Sequence, residues 1–292
     1  MYELIQISER NYYVQCPAKI GIVKLSDEEV LLIDSGNDRD AGKKVRKILD
    51  ANGWRLNMIL CTHSHADHIG GNQYLREQTG CRIYAPGIEC DFTKHPVLEP
   101  SFLFGANPPK ELRHKFLMAQ PSDAEELRAD TLPTGFELIA LPGHSFDMVG
   151  LRTPDDVVYL ADCLSSRETL DKYRVGFIYD VGAYLETLER VKSMKARLFV
   201  PSHAAPCEDI TELAQYNIDR VCEVADTILR LCAMPISFES LLQALFSEYG
   251  LTMTFEQYAL VGSTVRSYLT YLKEQNRIAV TIKEGMLLWE SC

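Results

Sequence analysis

The sequence lacks the long apolar runs of a membrane protein. No stretch is long enough to span a bilayer, and Met1–Gln6 is strand-like, without the basic and apolar regions of a signal peptide. The nine cysteines are odd in number and show no CxxC spacing, which favours reduced thiols over a disulfide framework. We therefore expect a cytoplasmic protein.

Positive charge is also scarce. Thirty Lys and Arg stand against 41 Asp and Glu, which gives a formal net charge of −11. Nucleic acids and anionic membranes attract clustered basic residues, so we expect a small-molecule substrate and neither of those partners. With 292 residues, 46% of them hydrophobic, the chain can form one large domain with a small appendage.

The first 90 residues show the pattern of a layered α/β domain. A hairpin meander leads into β-α-β units, with apolar strands separated by turns and one amphipathic helix. The predicted strands cover residues 12–14, 20–25, 30–34, 56–61 and 82–85, and the helix covers residues 39–52.

Residues 91–133 form a different kind of segment, rich in proline and phenylalanine, with one helical candidate at Pro109–Met118. A loop-rich excursion of this length inside a domain is often a functional lid or an oligomer contact. A packed surface excursion is the alternative, and the sequence leaves the three interpretations open.

A dense group of metal-ligand residue types lies between Cys61 and Gly71. It contains His63, His65, Asp67 and His68 within six positions, after an apolar strand and before a Gly-Gly pair and an amphipathic segment. Histidine and aspartate at this density indicate a metal site.

Three later strands each lead to another residue of the same types. Strand 136–141 precedes His144, strand 157–162 ends at Asp162, and strand 197–200 precedes His203. Together with the four earlier residues these make seven candidates, too many for one tetrahedral ion but suited to two ions that share a carboxylate and a water. His95 and His114, in the excursion, are expected to have surface or packing roles.

The last 80 residues predict helices at 210–232, 238–249 and 254–275, followed by a hairpin at 278–289. This order resembles a winged-helix module. Residues 236–292 contain four Lys and Arg against six Glu, whereas a DNA-reading face should be basic. We interpret residues 211–292 as a docking or oligomerisation domain behind a catalytic domain at 1–210, and both the excursion and the tail offer apolar surface for a homodimer.

The segments Thr62–His68, Pro142–His144, Ala161–Asp162 and Ser202–His203 resemble the metallo-β-lactamase superfamily, and are most similar to its glyoxalase II-like hydrolases. Asp34, at the end of an apolar strand, fits the structural aspartate of that superfamily. The resemblance covers about residues 10–210 and implies a four-layer αββα sandwich.

The resemblance also implies a dinuclear site. His63, His65 and His144 would hold the first metal, Asp67, His68 and His203 the second, and Asp162 would bridge them. Asp67 would also orient the attacking water or accept its proton. The expected cofactors are two divalent ions, zinc by preference with iron or manganese as alternatives, and the expected reaction is attack of a metal-bound hydroxide on a small thioester or lactone.

Some features depart from the family pattern. Ala161 stands where glycine usually precedes the bridging aspartate, and no segment matches the glutathione-contacting region of glyoxalase II, so the substrate-binding residues stay unassigned. Asp162, in place of a cysteine, disfavours the common zinc β-lactamases, and His65 disfavours flavodiiron proteins. A phosphodiesterase or nuclease, an iron-dependent sulfur dioxygenase and a non-enzymatic metal sensor with a DNA-binding tail remain as alternatives.

Overall fold

The computed structural model describes residues 2–292 and divides into two compact units. The first, called here the sheet unit, comprises the chain up to Pro142 together with Phe146–Leu164 and Lys195–Ile210. The second, called the helical unit, comprises Gly143–Ser145, Ser165–Met194 and Thr211–Cys292.

The strands form a seven-stranded sheet, a four-stranded sheet and a separate hairpin. The first sheet contains β1 (Glu3–Gln6), β2 (Asn11–Gln15), β3 (Ile20–Lys24), β4 (Glu29–Ile33), β5 (Arg55–Leu60), β6 (Arg82–Ala85) and β7 (Glu125–Glu126). The second contains β8 (Glu137–Ala140), β9 (Val149–Arg152), β10 (Val157–Ser165) and β11 (Leu198–His203), and the hairpin contains β12 (Ile278–Lys283) and β13 (Met286–Ser291).

The α-helices occupy both units. They are α1 (Arg39–Ala51), α2 (Ala66–Ile69), α3 (Asn72–Thr79), α4 (Glu89–Lys94), α5 (Leu98–Phe104), α6 (Arg167–Tyr173), α7 (Val181–Ser193), α8 (Thr211–Leu231), α9 (Phe238–Glu248) and α10 (Phe255–Glu274). None of these helices, in the part of the chain that the structure describes, is both long and apolar enough to cross a membrane.

The order of the seven-stranded sheet follows the chain from β1 to β7. Strands β1 to β4 pair antiparallel through short turns, and β4 to β7 pair parallel. Parallel neighbours end at the same edge of a sheet, so the residues after β4 and β5 lie together there. Asp34 N–H donates to the Leu60 carbonyl at 2.9 Å, which fixes this juxtaposition.

Two apolar layers hold the sheet unit together. Between the two larger sheets, Leu31, Ile33 and Leu60 pack with Leu151 and Tyr159. The opposite face of the seven-stranded sheet is covered by apolar residues of α1 and α3. Residues 30–33 of β4 are all buried, which explains their unbroken apolar sequence, because a strand covered on both faces needs no polar alternation.

Two helices that the sequence did not predict occupy the start of the excursion: α4 begins just before it, at Glu89, and α5 lies within it. The rings of Phe92 and Phe102 each lie 5.3 Å from that of Phe146, so both helices pack against the segment before β9, within the sheet unit. The helix predicted at 109–118 is wrong, since only a 3-10 turn forms there. Its buried residues, Leu112 and Leu117, are five positions apart and therefore cannot share one helical face.

In the helical unit, three helices and a hairpin follow one another in the predicted winged-helix-like order. The predicted boundary at residue 210 coincides with the last passage between units, but residues 165–194 belong to the helical unit rather than to the first domain. The side-chain amide of Asn217, on α8, exchanges two hydrogen bonds of 3.0 Å with the backbone of Ser165. Helix α7 packs along α8 as well, which accounts for the difference.

Candidate metal centre

The ligand loop follows β5 and is largely buried. His63 and His68 are 0% exposed, although they lie in a short loop and a four-residue helix, α2. A buried imidazole is costly unless its ring nitrogens have partners. The loop is therefore built to present these side chains inward.

The Gly-Gly pair that follows the loop allows two backbones to approach closely. A Cβ atom on Gly70 would lie 2.1 Å from the Asn37 carbonyl oxygen, and one on Gly71 would lie 2.4 Å from that of Ser35. The loop after β4 thus packs directly against the end of α2. Any side chain at these glycines would push the two loops apart.

Asp34 connects those loops through its carboxylate. It accepts hydrogen bonds from Thr62 N–H at 2.7 Å, from Thr62 Oγ1 at 2.8 Å and from His68 Nδ1 at 2.7 Å. Its own backbone lies in the left-handed region with φ of 64°, which aspartate tolerates better than most residues. Because Asp34 occupies Nδ1 of His68, the electron pair of the neutral ring is on Nε2.

The same network assigns the tautomer of His63. The Thr62 hydroxyl has one proton, which it donates to Asp34, and Thr62 Oγ1 lies 3.0 Å from His63 Nδ1. His63 Nδ1 is therefore the donor in that contact, and its Nε2 carries the electron pair. Both buried histidines thus present Nε2 as the ligand atom.

The structure brings the seven predicted residues into two adjacent groups. In the first, ligand atoms of His63, His65, His144 and Asp162 lie within 4.8 Å of one another. His63 Nε2 and His65 Nδ1 are 3.0 Å apart. The second group meets the same criterion and joins two residues of α2 to the last residue of β11; its members are Asp67, His68 and His203.

Asp162 contacts both groups. Its Oδ1 lies 3.1 Å from His68 Nε2, and its Oδ2 lies 3.1 Å from His203 Nε2 and 3.9 Å from His63 Nε2. Asp67 Oδ2 lies 3.5 Å from His203 Nε2 and 3.8 Å from His68 Nε2. One carboxylate thus stands between the two sets of imidazoles.

These contacts set the protonation of the metal-free site. Burial alone would lower the pKa of His203, but Asp162 and Asp67 outweigh it and raise the pKa to about 10. Asp162, Asp67 and Asp34 likewise raise the pKa of His68 well above its ordinary value, against the effect of burial. Both imidazoles are therefore cationic at neutral pH when no metal is bound.

The carboxylates and His65 shift in the opposite direction. Burial would raise the pKa of Asp67 and of Asp162, yet His68 and His203 lower that of Asp67 to about 2 and that of Asp162 well below its usual range. Burial lowers the pKa of His65 to about 4. Asp67 and Asp162 are therefore ionised near pH 7, and His65 is neutral.

Asp162 does not end its strand, contrary to the sequence prediction. Strand β10 continues to Ser165, and the turn of the backbone comes one residue earlier, at Ala161, with φ of 49°. Glycine adopts this conformation at no steric cost, whereas alanine is strained there. This explains why a glycine would suit the position that Ala161 occupies.

Two ionisable residues near the site, Glu99 and Lys19, gave no recognisable signal in the sequence. Glu99, on α5 of the excursion, has Oε1 3.6 Å from His65 Nε2, and burial, Glu89 and Asp67 raise its pKa to about 8. Lys19 is buried, and its Nζ donates to the Ala204 carbonyl at 2.5 Å, next to His203. Glu99 thus approaches a ligand, and Lys19 the backbone beside one, from distant parts of the chain.

The two remaining histidines take no part in either group among the described residues. The ring of His114 lies 5.9 Å from that of Phe116, within the excursion. His95 ends α4 as its C-cap residue. Both placements agree with the surface or packing roles expected for them.

The donor set fits divalent metal ions. Imidazole nitrogens and carboxylate oxygens are the ligands of zinc, iron and manganese sites in proteins. His63 and His68 direct their Nε2 atoms toward Asp162, and their other nitrogens have partners in Thr62 and Asp34. Such outer partners are typical of metal-binding histidines.

Comparison with known proteins agrees with this geometry. Residues 14–203 match the profile of the family described as the metallo-beta-lactamase superfamily. A hydroxyacylglutathione hydrolase from Methylococcus capsulatus is 28% identical over 154 residues, which cover 52% of this chain and 49% of that protein. An atrochrysone carboxyl ACP thioesterase from Aspergillus fumigatus is 26% identical over 196 residues, which cover 66% and 52%. The chain thus spans about half the length of these two relatives.

Solved structures show the same fold. A beta-lactamase domain protein from Burkholderia ambifaria superposes with a TM-score of 0.73 at 18% identity, covering 99% of this chain and 94% of that one. A metallo-beta-lactamase family protein from Thermus thermophilus gives 0.72 at 17% identity, covering 100% and 98%. The predicted α/β fold, with its C-terminal helical region, is confirmed.

Proposed function

Since the chain belongs to the metallo-beta-lactamase superfamily, we propose that it is a metal-dependent hydrolase that cleaves small thioesters. The observation that carries the proposal is the position of Asp162, with one carboxylate in contact with histidines of both ligand groups. A single-ion site would need no such carboxylate, whereas a pair of ions is commonly joined by one.

We infer two divalent ions per chain, zinc by preference. His63, His65 and His144 would hold one, Asp67, His68 and His203 the other, and Asp162 would contact both. When bound, the pair supplies a water of lowered pKa and polarises the carbonyl of the substrate. No thiol belongs to either group of the described chain, which leaves iron and manganese as the alternatives to zinc.

The residues of the chain orient the reacting groups. Asp67 is ionised at neutral pH and can accept a hydrogen bond from the attacking water, which fixes the direction of its electron pair. Asp34 and Thr62 hold His68 and His63 in the tautomers that ligate through Nε2. The rigid loops thus supply the orientation before the substrate arrives.

The substrate class is inferred from the relatives. Both names, hydroxyacylglutathione hydrolase and carboxyl ACP thioesterase, describe the cleavage of an acyl group from a thiol carrier. We propose a thioester as the substrate, with a lactone as the alternative. The carrier is left open because the matches cover only half of each relative.

The setting of the reaction is a further part of the proposal. No disulfide joins any of the nine cysteines, all of which lie in the described residues 2–292, and six of them are buried. This favours a reducing compartment such as the cytoplasm. The net charge of −11 favours a small molecule over a nucleic acid or an anionic membrane as partner. We treat the helical unit as a docking or dimerisation module.

A turnover panel on the purified full chain tests the proposal. It compares a glutathione thioester, an acyl-coenzyme A, an acyl-homoserine lactone, a phosphodiester and a β-lactam, each before chelation, after chelation and after zinc is returned. We expect a thioester to be hydrolysed fastest, with turnover lost on chelation and restored by zinc. A phosphodiester or β-lactam as the best substrate, or turnover that survives complete metal removal, would overturn it.

A further inference from the structure

We propose that Glu89 is a positioning residue of the metal centre. Its carboxylate fixes the loop that carries His63 and His65 against the segment that follows His144. The inference depends on the metal centre proposed above. It assigns a role to a residue outside the ligand set, on the first position of helix α4.

Glu89 contacts the ligand loop through one oxygen of its carboxylate. Its Oε2 accepts a hydrogen bond from Ser64 N–H at 3.0 Å and from Ser64 Oγ at 2.5 Å. Ser64 lies between His63 and His65, so both hydrogen bonds fix the backbone that carries these two imidazoles. The His63 Nε2 to His65 Nδ1 separation of 3.0 Å depends on that backbone.

Glu89 also contacts the segment after His144, through the other oxygen of its carboxylate. Glu89 Oε1 accepts a hydrogen bond from Asp147 N–H at 3.1 Å, and the Asp147 carboxylate accepts one from Ile88 N–H at 2.9 Å. The carboxylate of each segment therefore binds the backbone of the other. A Cβ on Gly87 would lie 2.1 Å from Asp147 Oδ2, so this close approach requires glycine there.

The burial of Glu89 supports a specific role. The residue is 0% exposed, and removing a carboxylate from water is costly unless donors satisfy it. Here three donors from two separate segments do so. One rigid carboxylate thus joins two loops that are far apart in the sequence and that each lie beside a candidate ligand.

Substitutions at Glu89 and at a control residue distinguish a positioning role of Glu89 from a contribution to stability alone. Glu89→Gln keeps the size of the side chain but turns one acceptor oxygen into an N–H donor, which opposes either Ser64 or Asp147. We expect its affinity for zinc to fall by about 10- to 100-fold, the usual effect of losing an outer partner of metal ligands. Asp155→Asn is the matched control, because Asp155 is likewise a hydrogen-bonded carboxylate, but it accepts from the side chains of Ser8 and Asn11, at 2.6 and 3.0 Å, and contacts neither ligand segment.

The measurement is a competition titration of zinc against a chromophoric chelator on the metal-free full chain. The cobalt(II) absorption spectrum and the melting temperature are recorded for the same samples. We expect Glu89→Gln to bind zinc more weakly and to change the cobalt spectrum, while Asp155→Asn lowers the melting temperature without either effect. Should Glu89→Gln fail to fold, Ser64→Ala removes only the 2.5 Å hydrogen bond and should still weaken zinc binding by a smaller factor.

The outcomes distinguish the two proposals. Zinc binding within about twofold of wild type and an unchanged cobalt spectrum in Glu89→Gln, or in Ser64→Ala if that is the variant that folds, would overturn the role of Glu89 alone, since an outer partner should cost more than that. A wild-type chain that takes up no zinc would overturn the metal centre and this inference with it.

Discussion

The Asp34 carboxylate and His68 Nδ1 are 2.7 Å apart and join the end of β4 to the end of α2. The parallel pairing of β4 with β5 places Asp34 beside His68. An imidazole that is hydrogen-bonded at Nδ1 presents its Nε2 to a metal ion. His68 Nε2 lies 3.1 Å from Asp162 as a result.

Asp34→Asn should weaken zinc binding by about 10- to 100-fold. An asparagine N–H group in the place of Oδ2 would face His68 Nδ1 and favour the tautomer with a proton on Nε2, whereas one in the place of Oδ1 would oppose Thr62 N–H and disturb the ligand loop. A competition titration of the metal-free protein measures the effect. Asp38→Asn is the control, because Asp38 lies on the same loop but caps α1 through Ala41 N–H, and it should bind zinc as wild type does.

Single ligand deletions should separate the two groups. We expect His144→Ala and His203→Ala each to retain close to one metal per chain, and Asp162→Ala to lose the second metal and nearly all hydrolysis. Elemental analysis after gel filtration gives the stoichiometry, and the thioester assay gives turnover. Two metals and full turnover in Asp162→Ala would contradict the dinuclear arrangement.

Zinc binding should release protons from the metal-free protein. His68 and His203 have raised pKa values and are protonated at neutral pH, whereas a metal requires the neutral ring. His65, with its pKa lowered to about 4, contributes no proton. Because fewer protons remain to be displaced as the pH rises toward the pKa of His203, apparent affinity should increase from about pH 6 to about pH 9.

Calorimetric titrations in buffers of different ionisation enthalpy count these protons. We expect at least two per chain near neutral pH, one from each raised imidazole, and ionisation of a metal-bound water adds to that number. A binding enthalpy that is the same in all buffers at that pH would show that the imidazoles are already neutral.

Replacing Ala161 by glycine should relieve backbone strain. Ala161 has φ of 49°, where an L-residue other than glycine pays roughly 1 kcal/mol. The matched control is Ala225→Gly, a buried alanine in the middle of α8, where glycine costs about 1 kcal/mol. Denaturant unfolding of the metal-free variants should show Ala161→Gly to be the less destabilising by at least about 1 kcal/mol. Equal losses would indicate that the strain at Ala161 is not significant.

The candidate ligands could be predicted because each lies at or near the end of an apolar strand or in one dense motif. Strand ends are visible in the sequence, and the parallel pairing of β4 and β5 brings them to one edge. Asp34 could be found in the same way.

The supporting residues could not be predicted. Glu89 and Glu99 lie on the short helices α4 and α5, which have no clear apolar period, and their partners are distant in sequence. Lys19 reaches Ala204 across 185 positions. Contacts of this kind depend on tertiary packing, which local patterns do not encode.

The distribution of the ligands along the chain also has a consequence for biosynthesis. His63 emerges from the ribosome long before Asp162 completes the first group, and the second group is incomplete until His203 has been made. Any pairing of the strands of the first sheet before His203 has been made therefore takes place without a full set of ligands. Since His203 is the last of the seven candidate ligands along the chain, uptake of the second ion requires that all seven have been made.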